Sequence, residues 1–211
     1  MSTYDLEEQE QLAELKAWWK DNGNTVLAIV ALALAALAAW NGWNWYQRSQ
    51  TAQAAALYDT LQKAARANDV KAVSDATGSI LENFPRTTYA PLAALISARA
   101  QLQAGDAKTA RAQLEWAVEH ARSEEMRAVA ALRLASVLLD DGAPAAALQA
   151  LEAKPPASFE ALYGSLRGDI LVTQKKIAEA HAAYKAALEQ AGGSGALRES
   201  LQLKLDALGE G

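Results

Sequence analysis

The sequence predicts an all-α protein in which a single N-terminal transmembrane helix is followed by an α-solenoid of about four helix pairs and a closing helix. Three observations predict this class. Residues 25–45 carry no charge. Beyond them, alanine-rich and leucine-rich segments of about 12 to 18 residues, a helical length, are separated by short breaks rich in glycine, proline and asparagine. Runs of alternating valine, isoleucine and threonine, which indicate strands, are absent.

The uncharged segment TVLAIVALALAALAAWNGWNW, residues 25–45, has the length of a membrane span. At about 1.5 Å per residue it reaches roughly 31 Å as a helix, which matches a hydrocarbon core of about 30 Å. Aromatic residues that favour the headgroup layer stand at both of its borders, namely Trp18, Trp19, Trp40, Trp43, Trp45 and Tyr46. The segment is therefore interpreted as one crossing of the bilayer.

A cleaved secretory signal is the competing interpretation of this segment. Residues 26–39 have the length of its apolar region, and Ala36-Leu37-Ala38 resembles a cleavage site. A signal begins with a short basic region, however, whereas here a long acidic segment precedes the apolar run. The anchor is the favoured interpretation.

Basic residues near the span predict its orientation. Lys16, Lys20 and the amino terminus lie before it, and Arg48 follows it, which favours a cytoplasmic N-terminus. The predicted organisation is an acidic cytoplasmic tail over residues 1–24, a transmembrane helix over 25–45 and a periplasmic helical domain over 46–211.

Charge and cysteine content limit the function of that domain. The first 46 residues carry six acidic and two basic side chains, so they hold most of the net charge of −5 and leave the rest near −1. A nearly neutral domain lacks the basic surface that nucleic-acid binding needs. The chain has no cysteine, which excludes disulfides, thiolate catalysis, iron–sulfur clusters and cysteine zinc sites.

The helical segments repeat. The turns inside successive pairs align at Asn68, Gly105, Gly142 and Lys175, in steps of 37, 37 and 33 residues. The residues five positions after these four turn residues are Val73, Ala110, Ala147 and Ala180. The residues nine positions after them are Thr77, Leu114, Leu151 and Tyr184. A small residue followed one turn later by a large one predicts close helix packing in three of the four units.

This spacing is close to that of the tetratricopeptide repeat, which is 34 residues long with an A-x₃-F pattern. Ala180 and Tyr184 match it best, and Pro85 stands where the proline of the repeat falls. A generic alanine-rich bundle is the alternative, because the periods are irregular and the signature tryptophan is missing. A solenoid needs a closing helix, which residues 196–208 supply; their polar positions, predicted to face outward, are Arg198, Glu199, Gln202, Lys204 and Asp206.

The chain resembles the YfgM-like family over essentially its whole length. The resemblance rests on the acidic tail with Trp18-Trp19, the single span, Tyr89-Ala90 before Leu92-Ala93-Ala94, and LRGDIL at residues 166–171, followed by Ala180, Ala183-Tyr184 and Ala187-Leu188. It implies a tetratricopeptide-like ancillary subunit of the bacterial Sec translocon, anchored in the inner membrane with its repeats in the periplasm. The implied partners are Sec translocon subunits and a membrane-anchored periplasmic chaperone of the prolyl-isomerase type, and the implied role is assistance to emerging proteins.

No residue pattern indicates an enzyme. His120 and His181 each stand alone on a predicted helix, and Walker, GxSxG and nucleotide-binding glycine motifs are absent. No cofactor, metal or catalytic residue is therefore predicted. Gly168 lies inside a predicted helix, where it costs about 1 kcal/mol relative to alanine, so we expect a close helix contact to compensate.

Candidate partner-binding residues follow from the repeat frame. First-helix positions on the concave face form a mixed apolar and polar surface suited to peptide segments. They are Tyr58, Gln62, Leu95, Arg99, Leu102, Leu132, Ser136, Leu139, Ser165, Asp169 and Val172. Arg99 and Asp169 are expected to be exposed, whereas the leucines have burial against the next pair as an alternative.

The span offers a second candidate contact, because Ala35 and Ala39 are small residues suited to close packing against another transmembrane helix. Two functional classes remain open at this point. One is an interaction module that holds partners or clients beside the translocon. The other is a scaffold for another inner-membrane assembly, in respiratory biogenesis or envelope synthesis.

Overall fold

The computed structural model describes residues 3–193 and 195–209, in which every regular element is helical. This confirms the all-α class. Besides a 3₁₀ turn at Ala157–Phe159, the helices are α1 (Thr3–Arg66), α2 (Val70–Asn83), α3 (Tyr89–Gln103), α4 (Ala107–His120), α5 (Glu124–Asp140), α6 (Pro144–Ala150), α7 (Glu160–Thr173), α8 (Ile177–Gln190) and α9 (Gly195–Leu208).

Helix α1 continues without a break through both predicted boundaries, at residues 24/25 and 45/46. The chain divides into two compact units at Ser49 and Gln50. Within the first unit α1 exposes large apolar side chains in its most apolar window, which has a mean hydropathy of 2.0. A helix that is apolar all round and unburied is typical of a membrane span. The helix is long and apolar enough to cross a membrane.

The second unit is a stack of helix pairs. The end of α1 shares a core with α2 and α3, built around Leu61, Val73 and Ile80. From α2 onward each helix contacts the next one along the chain, and α7 also contacts α5 and α6. The pairs are α1/α2, α3/α4, α5/α6 and α7/α8, and α9 packs on α8. The predicted four pairs and closing helix are confirmed.

The four aligned turns have the same backbone geometry. Asn68, Gly105, Gly142 and Lys175 all adopt positive φ, between 54° and 83°. In each turn the next residue donates its N–H to the carbonyl five positions back, as Asp106 does to Gln101 at 2.9 Å and Lys176 to Leu171 at 2.9 Å. This is the Schellman motif, which ends a helix on a left-handed residue. The alignment made from sequence therefore identifies true structural equivalents.

The repeat positions are buried inside the stack. Val73, Ala110, Ala147 and Ala180 are fully buried, and the residues one turn later, Thr77, Leu114, Leu151 and Tyr184, are buried as well. Seven positions before each turn, the first helix contributes Leu61, Ala98, Ala135 and Gly168, which are also buried. The first-helix residues and the residues nine positions after each turn are complementary in size. The combinations are Leu61 with Thr77, Ala98 with Leu114, Ala135 with Leu151, and Gly168 with Tyr184.

The third pair differs from the others because its second helix is short. Helix α6 ends at Ala150, after 7 residues, and Pro155 and Pro156 follow. Proline cannot donate a backbone hydrogen bond and disfavours helix at the residue before it. The helix therefore does not continue through this part of the chain.

Helix α9 corrects one prediction. Leu197, Leu201, Leu205 and Leu208 form its apolar stripe, and Leu201 is fully buried. Glu199, Gln202 and Asp206 are exposed as predicted. The outward placement of Lys204 was wrong, because its ammonium lies 2.7 Å from Asp169 Oδ1 on α7. The flexible lysine stem reaches across the apolar contact, so its head binds a neighbouring helix.

Candidate partner-binding surface

A groove of about 470 Å³ lies among the end of α1, α3 and α5, and we call it the arginine groove. Its apolar lining includes Leu92, Leu95 and Ile96. Tyr58 also lines the groove, and the centre of its ring lies 5.2 Å from that of Tyr89. The polar lining consists of amide side chains and arginines, and includes no carboxylate. Four predicted residues line this groove together, namely Tyr58, Gln62, Leu95 and Arg99.

A second groove of about 290 Å³ shares Leu95, Arg99, Gln103 and Arg133 with the first. It adds Leu102 and Ser136, two further predicted residues, and Asp140. Leu95 is almost completely buried, whereas Leu102 is 41% exposed. The first helices of three successive pairs thus line one side of the second unit.

The remaining predicted positions lie elsewhere. Leu132 and Leu139 are half-buried and pack against the central apolar core, so they contribute to the stack. Ser165 is buried and Val172 packs in the C-terminal core. Neither groove includes any of these four residues.

Three arginines on three helices line the arginine groove: Arg66 at the end of α1, Arg99 on α3 and Arg133 on α5. All three are exposed. Some other arginines of the stack are held internally: Arg127 donates to the Ala121 carbonyl at 2.8 Å and Arg167 donates to the Leu151 carbonyl at 2.9 Å. Within residues 3–193 and 195–209, the three groove guanidinium groups have no hydrogen bond or ion pair.

Asp169 has partners inside the chain. Its carboxylate lies 2.7 and 2.8 Å from the Lys204 ammonium and accepts a 2.7 Å hydrogen bond from the Tyr184 hydroxyl. Lys204 also donates to Ser165 Oγ at 3.1 Å and lies 5.5 Å from the centre of the Tyr184 ring. Burial, and then the hydrogen bond to Asp169, raise the pKa of Tyr184. Tyr184 therefore stays a neutral donor, and the cluster joins α7, α8 and α9.

Comparison with known proteins shows which family this chain belongs to. Residues 16–210 match the model of a tetratricopeptide repeat-like domain. A protein of Neisseria gonorrhoeae is 31% identical over 204 residues, covering 96% of this chain and 98% of its own, and is named an ancillary SecYEG translocon subunit. This chain belongs to the YfgM-like family.

Two further members of the YfgM-like family carry the same name. The protein of Haemophilus influenzae is 32% identical over 206 residues, which cover 96% of this chain and 97% of the relative. The protein of Aggregatibacter actinomycetemcomitans is 30% identical over 210 residues, which cover 97% and 99%. The resemblance found in the sequence is therefore confirmed over nearly the full length of the chain.

The first unit of this YfgM-like chain places Ala35 and Ala39 on the exposed surface of α1. At helical spacing they share one face with Ala28, Ala31 and Ala38. The large side chains Leu27, Ile29, Val30, Leu32, Leu34 and Leu37 occupy most of the remaining circumference. The helix therefore has a small-residue face on which another helix backbone can approach closely.

Sequence reasoning missed Arg66 and Arg133. The signal was present, because Arg66 follows Gln62 by one helical turn and Arg133 precedes Ser136 by three residues. Both therefore lie on helix faces that also carry predicted partner-binding residues. Among the described residues, no group of three or more histidine or carboxylate side chains is placed to share a metal ion.

Proposed function

We propose that this chain is a membrane-anchored, non-catalytic ancillary subunit of the SecYEG translocon. One observation carries the proposal: relatives that match it from end to end are named ancillary SecYEG translocon subunits. The membrane-length helix and the repeat stack supply the two parts that such a role needs, an anchor and a binding surface.

The proposal includes a chaperone partner and a periplasmic location for the repeats. In this scheme the helix crosses the inner membrane with residues 1–24 in the cytoplasm, and residues 46–211 hold a membrane-anchored prolyl-isomerase-type chaperone near emerging polypeptides. The resemblance noted above motivates the chaperone, and Lys16 and Lys20 before the span motivate the orientation.

Orientation has a direct test because the chain contains no cysteine. Glu10→Cys and Lys71→Cys each introduce a single exposed thiol, one before the span and one in the second unit. In intact spheroplasts we expect a membrane-impermeant maleimide to label position 71 and to reach position 10 only after permeabilisation. Labelling of position 10 alone in intact cells would reverse the proposed topology.

Association through the span has a second test, the double substitution Ala35→Leu and Ala39→Leu. The added side chains hold a partner helix away from the small-residue face. We expect recovery of SecY with the full-length chain from mild detergent to fall about fivefold, corresponding to about 1 kcal/mol.

The matched control for this test is Val30→Leu with Ala33→Leu, which adds apolar bulk to the side of the same helix opposite Ala35 and Ala39. We expect this control to leave the recovery of SecY unchanged. Equal recovery with both double variants would move the contact from the span to the repeats. Absence of SecY from wild-type samples, with another inner-membrane assembly in its place, would overturn the proposed function and favour the scaffold alternative.

A further inference from the structure

We propose that the arginine groove binds an acidic segment of a partner polypeptide in which apolar side chains alternate with carboxylates. The inference rests on the proposed function only in treating the repeat stack as a partner-binding unit. It adds the position of the binding surface and the chemistry of its occupant.

The charge of the groove lining indicates an anionic occupant. The chain carries a net charge of −5, and the part after residue 46 is nearly neutral, yet three arginines and no acidic side chain line this groove. Across residues 3–193 and 195–209, no carboxylate forms an ion pair with Arg66, Arg99 or Arg133. A guanidinium group offers a planar, fork-shaped set of donors that pairs best with a carboxylate or a phosphate.

The distribution of the arginines indicates what kind of anion fits. They come from α1, α3 and α5, so each of three successive helix pairs contributes one guanidinium group to the lining. A single terminal carboxylate accepts bonds from one or two such groups, whereas acidic side chains spaced along a segment match all three. Several carboxylates on one chain are therefore the better complement.

The apolar lining indicates the rest of the occupant. Leu92 and Ile96 are half-buried and line the groove beside the Tyr58 and Tyr89 ring pair. Aliphatic side chains contribute little to binding a nucleic-acid backbone but bury leucine or valine side chains of a peptide. The groove thus favours an acidic, apolar polypeptide segment over a nucleic acid.

The test measures peptide binding by the full-length chain in detergent micelles, using fluorescence anisotropy. The probe is a short, labelled and amidated peptide of alternating leucine and aspartate. The reference peptide has asparagine in place of each aspartate. We expect the aspartate peptide to bind at least about tenfold more tightly, and its affinity to fall as salt rises.

The decisive variant is the triple substitution Arg66→Gln, Arg99→Gln and Arg133→Gln. Its matched control is Arg86→Gln, Arg111→Gln and Arg122→Gln, which removes the same charge from exposed positions outside both grooves. We expect the groove variant to lose about tenfold in affinity for the aspartate peptide and the control to stay within about twofold. Circular dichroism checks that both variants keep their helix content.

Four results would overturn the inference: no binding of the aspartate peptide, equal binding of the asparagine peptide, equal weakening by the two triple variants, or binding only of the asparagine peptide with a free terminal carboxylate. Recovery of SecY with the wild-type chain is measured in parallel. Recovery of SecY by a wild-type chain that does not bind the aspartate peptide would overturn this inference and leave the proposed function standing.

Discussion

Gly168→Ala is expected to destabilise the last helix pair by about 2 kcal/mol. A methyl group on Gly168 would overlap the ring of Tyr184, with the ring carbon Cζ only 2.8 Å away. The ring has little freedom to move, because its hydroxyl donates to Asp169 and Lys204 lies over its face. Overpacking of this kind costs about 1–3 kcal/mol or more, and the better helix propensity of alanine offsets about 1 kcal/mol.

The repeat supplies both a rescue and a control for this prediction. Gly168→Ala with Tyr184→Leu recreates the alanine and leucine combination of Ala98 with Leu114, and we expect it to recover part of the lost stability. Gly78→Ala lies inside α2 with open space around the new methyl group, so it should be neutral or stabilising by up to about 1 kcal/mol.

Urea unfolding of the full-length chain in detergent, followed by circular dichroism, measures these effects. The membrane helix stays folded in the micelle and contributes a constant signal, so the transition reports on the stack. A Gly168→Ala variant as stable as Gly78→Ala would show that the helices are not in close contact at this point.

Leu201→Ala is expected to cost about 3 kcal/mol, the largest effect of any single change considered. Leu201 is the fully buried residue of α9, packed in the C-terminal core with Leu171, Ala180 and Tyr184. Truncation of a buried leucine removes its transfer free energy and leaves a cavity, at a cost of about 2–5 kcal/mol. Because α9 is attached to the stack through one apolar stripe centred on Leu201, this loss should release the closing helix first.

Leu203→Ala is the matched control, since Leu203 lies on the same helix and is 63% exposed. We expect it to change stability by less than about 0.5 kcal/mol. Hydrogen exchange of the full-length chain should show faster exchange across α8 and α9 in Leu201→Ala alone. Equal protection in the two variants would contradict the role of α9 as a closing helix.

Local chemistry explains why so much of the fold could be predicted from sequence. Asn68, Gly105 and Gly142 are residue types that tolerate positive φ, and Pro85, Pro155 and Pro156 lie in breaks between helices. Alanine at the equivalent positions 110, 147 and 180 indicates, from the sequence alone, that two helices approach closely there. Each of these signals depends on near neighbours in the chain.

The features that sequence reasoning missed depend on distant contacts. Lys204 looks like a surface residue of α9, and only the packing of α9 brings it to Asp169, 35 positions earlier. The first pair is the unit without the small-to-large pattern, and there the sizes are exchanged, with the large residue, Leu61, on the first helix and the smaller Thr77 on the second. The spacing of residues along one helix does not show which residue of the paired helix compensates for a change in side-chain size.

The arginine groove was predicted in part for the same reason. Tyr58, Gln62, Leu95 and Arg99 were identified from equivalent positions in the repeat. Arg66 and Arg133 lie about one helical turn from the predicted positions Gln62 and Ser136, and they line the same groove. Their meeting there depends on how adjacent helix pairs pack, which the sequence of one helix does not show.

The most direct measurement is photo-crosslinking in living cells, with a photoreactive residue in place of Ala35 in one variant and of Arg99 in another, followed by mass identification of the captured proteins. We expect position 35 to capture SecYEG subunits, and position 99 to capture translocon subunits or a periplasmic chaperone. Capture of an unrelated inner-membrane assembly from both positions would contradict the proposed function and leave the fold unchanged.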